Sequence, residues 1–142
     1  MRSAHLVSAA LGLLLVSFLA ACHQGLNSAR ASGNERSAIA QLRTIGQAQA
    51  AFLANHSHFA CTLPELGSQF GFIDKELIYG EKDGYYYYIQ CFPRDGVPAY
   101  QVWASPKSHW ITRHNYFCTD ESGAVRNASH RMDDCSQAVP VE

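Results

Sequence analysis

With 142 residues the chain is the size of one ordinary domain, long enough to bury a core. Its 11 Lys and Arg face 12 Asp and Glu, a formal net charge of -1. That leaves no cationic surplus for nucleic acid, whose phosphates demand clustered positive charge.

The N-terminal segment sets the expected compartment. Arg2 and His5 form a short polar start, and residues 6–20 are almost wholly apolar, closing on Leu19-Ala20-Ala21-Cys22. This is the three-part layout of a secretory signal peptide. The apolar core is shorter than the roughly 20 residues of a comfortable membrane span. Leu-Ala-Ala-Cys resembles the bacterial lipobox, the cleavage and lipidation signal of lipoproteins. By that resemblance residues 1–21 are a lipoprotein signal peptide, and Cys22 is acylated, palmitate being one such chain, and becomes the mature N-terminus. Two or three chains, each buried methylene worth about 0.8 kcal/mol, hold a protein at a membrane where one does not. His23 stands where an inner-membrane retention signal would place Asp. The expected location is therefore the bacterial cell envelope, lipid-anchored, at the outer membrane facing the periplasm. An ordinary cut near Ala21 and an uncleaved anchor are the competing readings. Residues 22–33 then form the lipidated N-terminus and a short linker, and residues 34–142 the globular domain.

Setting Cys22 aside leaves Cys61, Cys91, Cys118 and Cys135. Four cysteines in an exported domain read as two disulfides, with three connectivities that spacing alone does not separate. No pair has the close spacing of a zinc site. Each bridge would contribute about 2–4 kcal/mol.

Ser32-x-x-Glu35 reads as a capping box opening a helix. Ala38, Leu42, Ile45, Ala48 and Phe52 then recur at helical spacing, an amphipathic stripe ending near Asn55-His56-Ser57. Gly46 weakens that helix by about 1 kcal/mol relative to Ala and permits close approach by a neighbour. Thr62-x-x-Glu65, with Pro64 in the first turn, opens a short helix over Leu63–Leu66 that is expected to stop at Gly67. Asp74 caps a further turn through Leu77 and Ile78 that ends at Gly80, and Lys82-Asp83-Gly84 is a turn.

The pattern then becomes strand-like. Tyr85 through Phe92 is rich in β-favouring aromatics and is expected to be broken by Pro93, Gly96 and Pro98. Tyr100 to Ala104 alternates as a half-buried strand, ended by Pro106. Residues 115–119 and 124–126, around Asp120-Glu121-Ser122-Gly123, read as a hairpin, and the tail from Asn127 reads as irregular, pinned by Cys135. One helix followed by successive strands gives an α+β domain, the helix laid across an antiparallel sheet.

Two stretches, Asn34 to Ile45 running on to Phe59-Ala60-Cys61-Thr62-Leu63-Pro64-Glu65, and Tyr116-Phe117-Cys118-Thr119-Asp120 through Arg126, resemble the globular part of type IV pilin-like proteins, the pseudopilins of the general secretion pathway G type. The resemblance covers most of residues 34–126. It implies a pilin-like fold, with a long N-terminal α-helix packed on a three- to four-stranded antiparallel sheet. It also implies that Cys61 pairs with Cys118, leaving Cys91 for Cys135. The chain departs from that family where pilins carry a Gly-Phe processing site and then an apolar helix. Here the apolar segment precedes the expected cleavage point, which argues against polymerisation by the usual helix bundle.

No nucleophile elbow, phosphate-cradling glycine loop or zinc-protease helix appears, so no catalytic residue is assigned and no cofactor or metal is implied. His56 and His58, with His109, His114 or His130, read as solvated loop histidines rather than ligands. Asp120, Glu121, Asp133 and Asp134 read as turn carboxylates without the ligand-rich spacing of a calcium loop. Of the tyrosine run, alternate rings enter the core. Tyr86 and Tyr88 face outward and form, with Trp103 and Trp110, the candidate aromatic contact surface for a protein or glycan. The expected function is a non-enzymatic, lipid-anchored accessory or interaction module with a pilin-like domain, linked to type IV pilus or type II secretion machinery. Its partners are the membrane, through Cys22, and an envelope or secretion-system protein. The alternatives are a true minor pseudopilin and a periplasmic ligand- or metal-binding module.

Overall fold

The computed structural model of the chain describes residues 32–71, 73–107 and 115–141, with the backbone alone over 68–70. Two compact units divide it, Met1–Gly33 and Asn34–Glu142. Of the first, only Ser32 and Gly33 are described, both helical. The expected signal peptide, Cys22 and most of the linker lie outside the described residues. So do His109, Trp110 and His114.

Helix α1 covers residues 32–56. Ser32 lies within it and so does not cap it, and Glu35 instead accepts the N–H of Asn115 at 3.1 Å. The expected stripe is the buried face: Ala38, Leu42, Ile45, Ala48 and Phe52 are all 2 % exposed or less. Burial of each large member contributes about 1.5–3 kcal/mol. At the far end the side chains of Asn55 and His56 bond the carbonyls of Ala51 and Phe52. Ser57, at φ 60°, turns left-handed and donates its N–H to Leu53 O, which stops the helix. Among the described residues no helix is long and apolar enough to cross a membrane.

Helix α2 spans Leu63–Phe70, capped by Thr62, whose hydroxyl accepts the Glu65 N–H at 3.2 Å. Glu65 reaches back to the N–H of Cys61 at 2.9 Å. The helix passes through Gly67, where a stop was expected, and ends at Gly71 with φ 60°. Gly67 serves a close approach instead: a Cβ there would lie 2.4 Å from Ile78 Cγ1. Ile78 belongs to α3, Lys75–Ile78, which Asp74 caps by accepting the Leu77 N–H at 2.9 Å.

Among the described residues six strands follow in an antiparallel meander, each beside its predecessor: β1 Glu81–Lys82, β2 Tyr85–Arg94, β3 Val97–Pro106, β4 Tyr116–Asp120, β5 Arg126–Ala128 and β6 Val139–Pro140. The expected sheet of three to four strands is thus too small, because short strands at both ends were read as turn and tail. The tail is also not irregular throughout, since it adds a 3-10 turn over Cys135–Gln137 and then β6.

Two Asp-Gly turns set the register. Asp83 and Gly84 have φ 48° and 81°, and Asp95 and Gly96 have φ 52° and 79°. Positive φ at both central residues is the type I′ geometry that suits a two-residue hairpin. β2 and β3 therefore run unbroken from Tyr85↔Pro106 to Arg94↔Val97. Pro93 and Pro98 do not interrupt the strands, contrary to expectation. They face each other at a position where neither ring nitrogen is needed by the shared ladder.

The sheet is covered on both faces. On one face α1 and α2 pack over Tyr85, Tyr87, Val102, Ala104 and Phe117. On the other, a second buried cluster joins Trp103, Cys118, Ala128, Cys135 and Ala138, with Tyr88, Tyr116 and Met132 at its margin. β3 is consequently buried on both sides over Ala99–Ala104, not half-buried in alternation.

Candidate functional site

The disulfides pair Cys61 with Cys91 and Cys118 with Cys135, at Cα separations of 5.4 and 5.8 Å. All four cysteines are bridged as expected, but the pairing differs from the one the pilin resemblance implied. The reason is the pleat. Cys91 faces the helix side of β2, where the 59–61 loop passes, and packs on the first core. Cys118 faces the opposite side, where the tail crosses, and is fully buried in the second cluster. Cys61 and Cys118 lie on different faces of the sheet and cannot meet.

Of the candidate contact residues, Tyr86 is 49 % exposed, with Lys107 above its ring at 5.3 Å. Tyr88 is half-buried beneath the Arg131 guanidinium, 4.3 Å from the ring centroid. Trp103 is fully buried and is not a contact residue. It sits opposite both Tyr88 and Cys118 in the sheet, under the tail that the Cys118–Cys135 bridge holds down. Trp110 lies outside the described residues. Among the described residues the expected aromatic surface comes down to Tyr86 and the edge of Tyr88.

Of the candidate ligands, His56, His58, Asp120, Glu121 and Asp134 have structural partners. His56 stacks on Phe52, ring centroids 4.1 Å apart, and is part-buried rather than solvated. His58 is exposed and bonds Phe59 O at 3.1 Å. Asp120, 1 % exposed, is not a solvated turn carboxylate: it accepts from Arg126 at 2.9 Å and from the Ser122 N–H at 3.0 Å. Arg94 bridges Glu121 and Asp134. The Ser136 N–H, bonded to Asp134, holds that carboxyl below the usual carboxylate range. Among the described residues no group of three or more His, Cys, Asp or Glu is placed to hold a metal ion.

The open, apolar ground lies elsewhere, along the outer edge of β2. β1 covers that edge only at Tyr85 and Tyr86, and the Tyr87 N–H then reaches Gly80 O at 2.8 Å. Beyond it the Cys61–Cys91 bridge crosses from the edge to the 59–61 loop. A hollow of about 520 Å³ opens on one side, lined by His58, Phe59, Phe92, Pro93, Pro98 and Ala99 among others. Another of about 400 Å³ opens on the other side, lined by Leu63, Pro64, Ile78, Tyr79, Tyr87 and Ile89 among others. Both are walled in part by Cys61. Phe59 is set against Tyr100 at a ring-centroid distance of 4.7 Å, and Tyr79 at the rim is 76 % exposed. The sequence held signals for this site in its Phe59-Ala60-Cys61 run and in the prolines, but the register that brings Pro93 and Pro98 to Phe59 comes from the unread Asp95-Gly96 turn.

No protein-family model matches the chain, no curated protein matches it, and no solved structure matches it.

Proposed function

We propose that this chain is a non-enzymatic, lipid-anchored protein of the bacterial cell envelope, whose pilin-like domain acts as an accessory or interaction module beside type IV pilus or type II secretion machinery. The anchor rests on the Leu19-Ala20-Ala21-Cys22 run. The pilin-like reading is supported by one long helix on an antiparallel sheet stapled by two disulfides. The observation that carries the binding role is the character of the β2 edge. Two apolar hollows flank a disulfide there, and Phe59, Phe92, Pro93, Pro98 and Ala99 make up most of the lining of the larger one. That arrangement suits retention of a partner rather than proton transfer, which needs a matched acid and base.

Substituting Cys22→Ala, or blocking lipoprotein signal peptidase with globomycin, should leave the precursor unprocessed and abolish the acylated N-terminus seen by mass spectrometry of membrane fractions. An unaltered mature mass after Cys22→Ala would refute the anchor. Cross-linking of the native protein to secretion or pilus components tests the assignment of place.

A further inference from the structure

We propose that the open edge of β2 between Tyr87 and Pro93 takes up an extended segment of another polypeptide by antiparallel strand addition, seating two of its side chains in the hollows on either side of the Cys61–Cys91 bridge. The proposal rests on the reading of the domain as an interaction module and names the chemistry of its partner.

Hydrogen-bond parity is the first support. In a two-residue hairpin the residues flanking the turn exchange bonds, so Arg94 pairs with Val97 in this way. Stepping back by twos along an unbroken register turns Phe92, Gln90 and Tyr88 toward β3 as well. The Lys107 N–H bonded to Gly84 O at 2.9 Å has the same parity. Ile89 and Cys91 must then point their N–H and C=O groups outward. Tyr87, of that parity, does so toward Gly80. For Ile89 and Cys91, both only half-buried, no such outward partner is found among the described residues. Two donors and two acceptors thus line the edge. Such a row is a template for another strand unless it is blunted. Among the described residues it is blunted only at its ends, by Gly80 at one and by Pro93, which has no N–H, at the other.

The hollows supply the side-chain complement. A guest strand would place alternate side chains on the helix face of the sheet, opposite Ile89, Cys91 and Pro93. The residue opposite Ile89 meets the smaller hollow and the residue opposite Pro93 the larger one. These are four residues apart on the guest, about 13 Å. The residue between them rides over the disulfide and must be small. The guest is therefore extended, apolar at two positions four apart, and Gly, Ala or Ser midway.

A second copy of this chain fits less well. Pairing β2 with its own copy about a two-fold axis would bring both 58–64 walls to the same side of the joined sheet, into the same space. An apolar small molecule could fill either hollow but would leave the four backbone groups unpaired. A slim strand satisfies both.

The test uses the full chain in detergent micelles and a phage-displayed library of random 12-residue peptides. Selected peptides should carry the apolar–small–apolar spacing. On binding they should slow hydrogen exchange at the Ile89 and Cys91 amides, read by 15N NMR. N-methylation of the guest residues opposite Ile89 or Cys91 should weaken binding about tenfold each, whereas methylation of the residue between should change it less than about threefold. Ile89→Pro, which removes an outward N–H and no bond to β3, should weaken binding similarly. Ile89 and Cys91 amides already protected in the free protein, failure to select any peptide, or affinity indifferent to N-methylation would each overturn the proposal. None of these outcomes bears on the Cys22 anchor, which the fractionation experiment decides separately.

Discussion

Gln49 holds both backbone polar groups of Ala60. Its Nε2 donates to Ala60 O at 2.7 Å, and its Oε1 accepts the Ala60 N–H at 3.0 Å. Both residues are fully buried. The amide thus works as a strand partner for a loop that has no strand beside it, and it fixes the approach of Cys61 to Cys91. Gln49→Leu keeps the volume and leaves two buried backbone groups unpaired, each worth about 1–3 kcal/mol. Urea unfolding under non-reducing conditions should show a loss of about 2–6 kcal/mol. A loss below about 0.5 kcal/mol would mean that water replaces the amide.

Two helical glycines, Gly46 and Gly67, should respond in opposite directions. At Gly46 a Cβ would meet only Tyr100 Oη at 3.9 Å, an ordinary contact. Gly46→Ala should stabilise by about 0.5–1 kcal/mol, from helix propensity alone. At Gly67 a Cβ would collide with Ile78 and press Ile73 Cγ1 at 3.3 Å. Gly67→Ala should destabilise by about 1–3 kcal/mol despite the better helix former. Ile78→Val, which removes the colliding Cδ1 and keeps Cγ1, should recover part of that loss, and denaturant midpoints of the four proteins would show it.

Loop length does not distinguish the two disulfides. Sequence separations of 30 and 17 give closure entropies worth about 3.6 and 3.1 kcal/mol. Access does distinguish them. Cys61 is exposed, whereas Cys118 and Cys135 are fully buried. Thiolate attack requires reach to a sulfur. Brief treatment of the native protein with a mild reductant, then alkylation and peptide mapping, should label Cys61 and Cys91 first. Cys118 and Cys135 should resist until denaturant is added. The reverse order would mean that the tail opens more readily than the β2 edge.

Alkaline pH should unfold the domain in a single step. Burial raises the phenol pKa of Tyr85, Tyr87 and Tyr100 well above the ordinary value of 10. All three are 3 % exposed or less. The folded state holds the protons that the unfolded chain releases near pH 10, so stability is intact below that point and falls as pH rises above it. Three such rings give a slope approaching about 4 kcal/mol per pH unit. Tyrosinate absorbance from these rings should appear together with loss of far-UV circular dichroism. Ionisation of all three while the fold persists would contradict their burial.

At the acid end the effect is small. The Lys82 ammonium beside Asp74 and the Ser136 N–H beside Asp134 lower those carboxyl pKa values, so their contribution is present above the unfolded carboxylate pKa and fades as pH drops through the folded one. Both groups are largely in water, which screens the interaction.

Where a single periodicity governed the outcome, the residues were readable in advance. The α1 stripe from Ala38 to Phe52 emerged as the buried face, and Asp74 caps α3 as expected. Misreadings fell where a residue type has two uses. Gly67 can stop a helix or admit a neighbour, and only the packing of Ile78 decides. Pro93 breaks a strand if its nitrogen faces the ladder and is tolerated if it faces the edge, which depends on register. Trp103 and Tyr86 have the same outward direction, but the tail covers one and leaves the other bare. Disulfide pairing depended on which face of the sheet each cysteine occupies, and that is a property of the assembled pleat.

The order of the strands has a kinetic consequence. Every ladder joins a strand to its immediate predecessor in the chain, so no segment must wait for a distant one before it can pair. Low contact order of this kind favours rapid folding. The sheet can be laid down hairpin by hairpin in chain order, with the last bridge closing over Trp103 only when Cys135 joins Cys118.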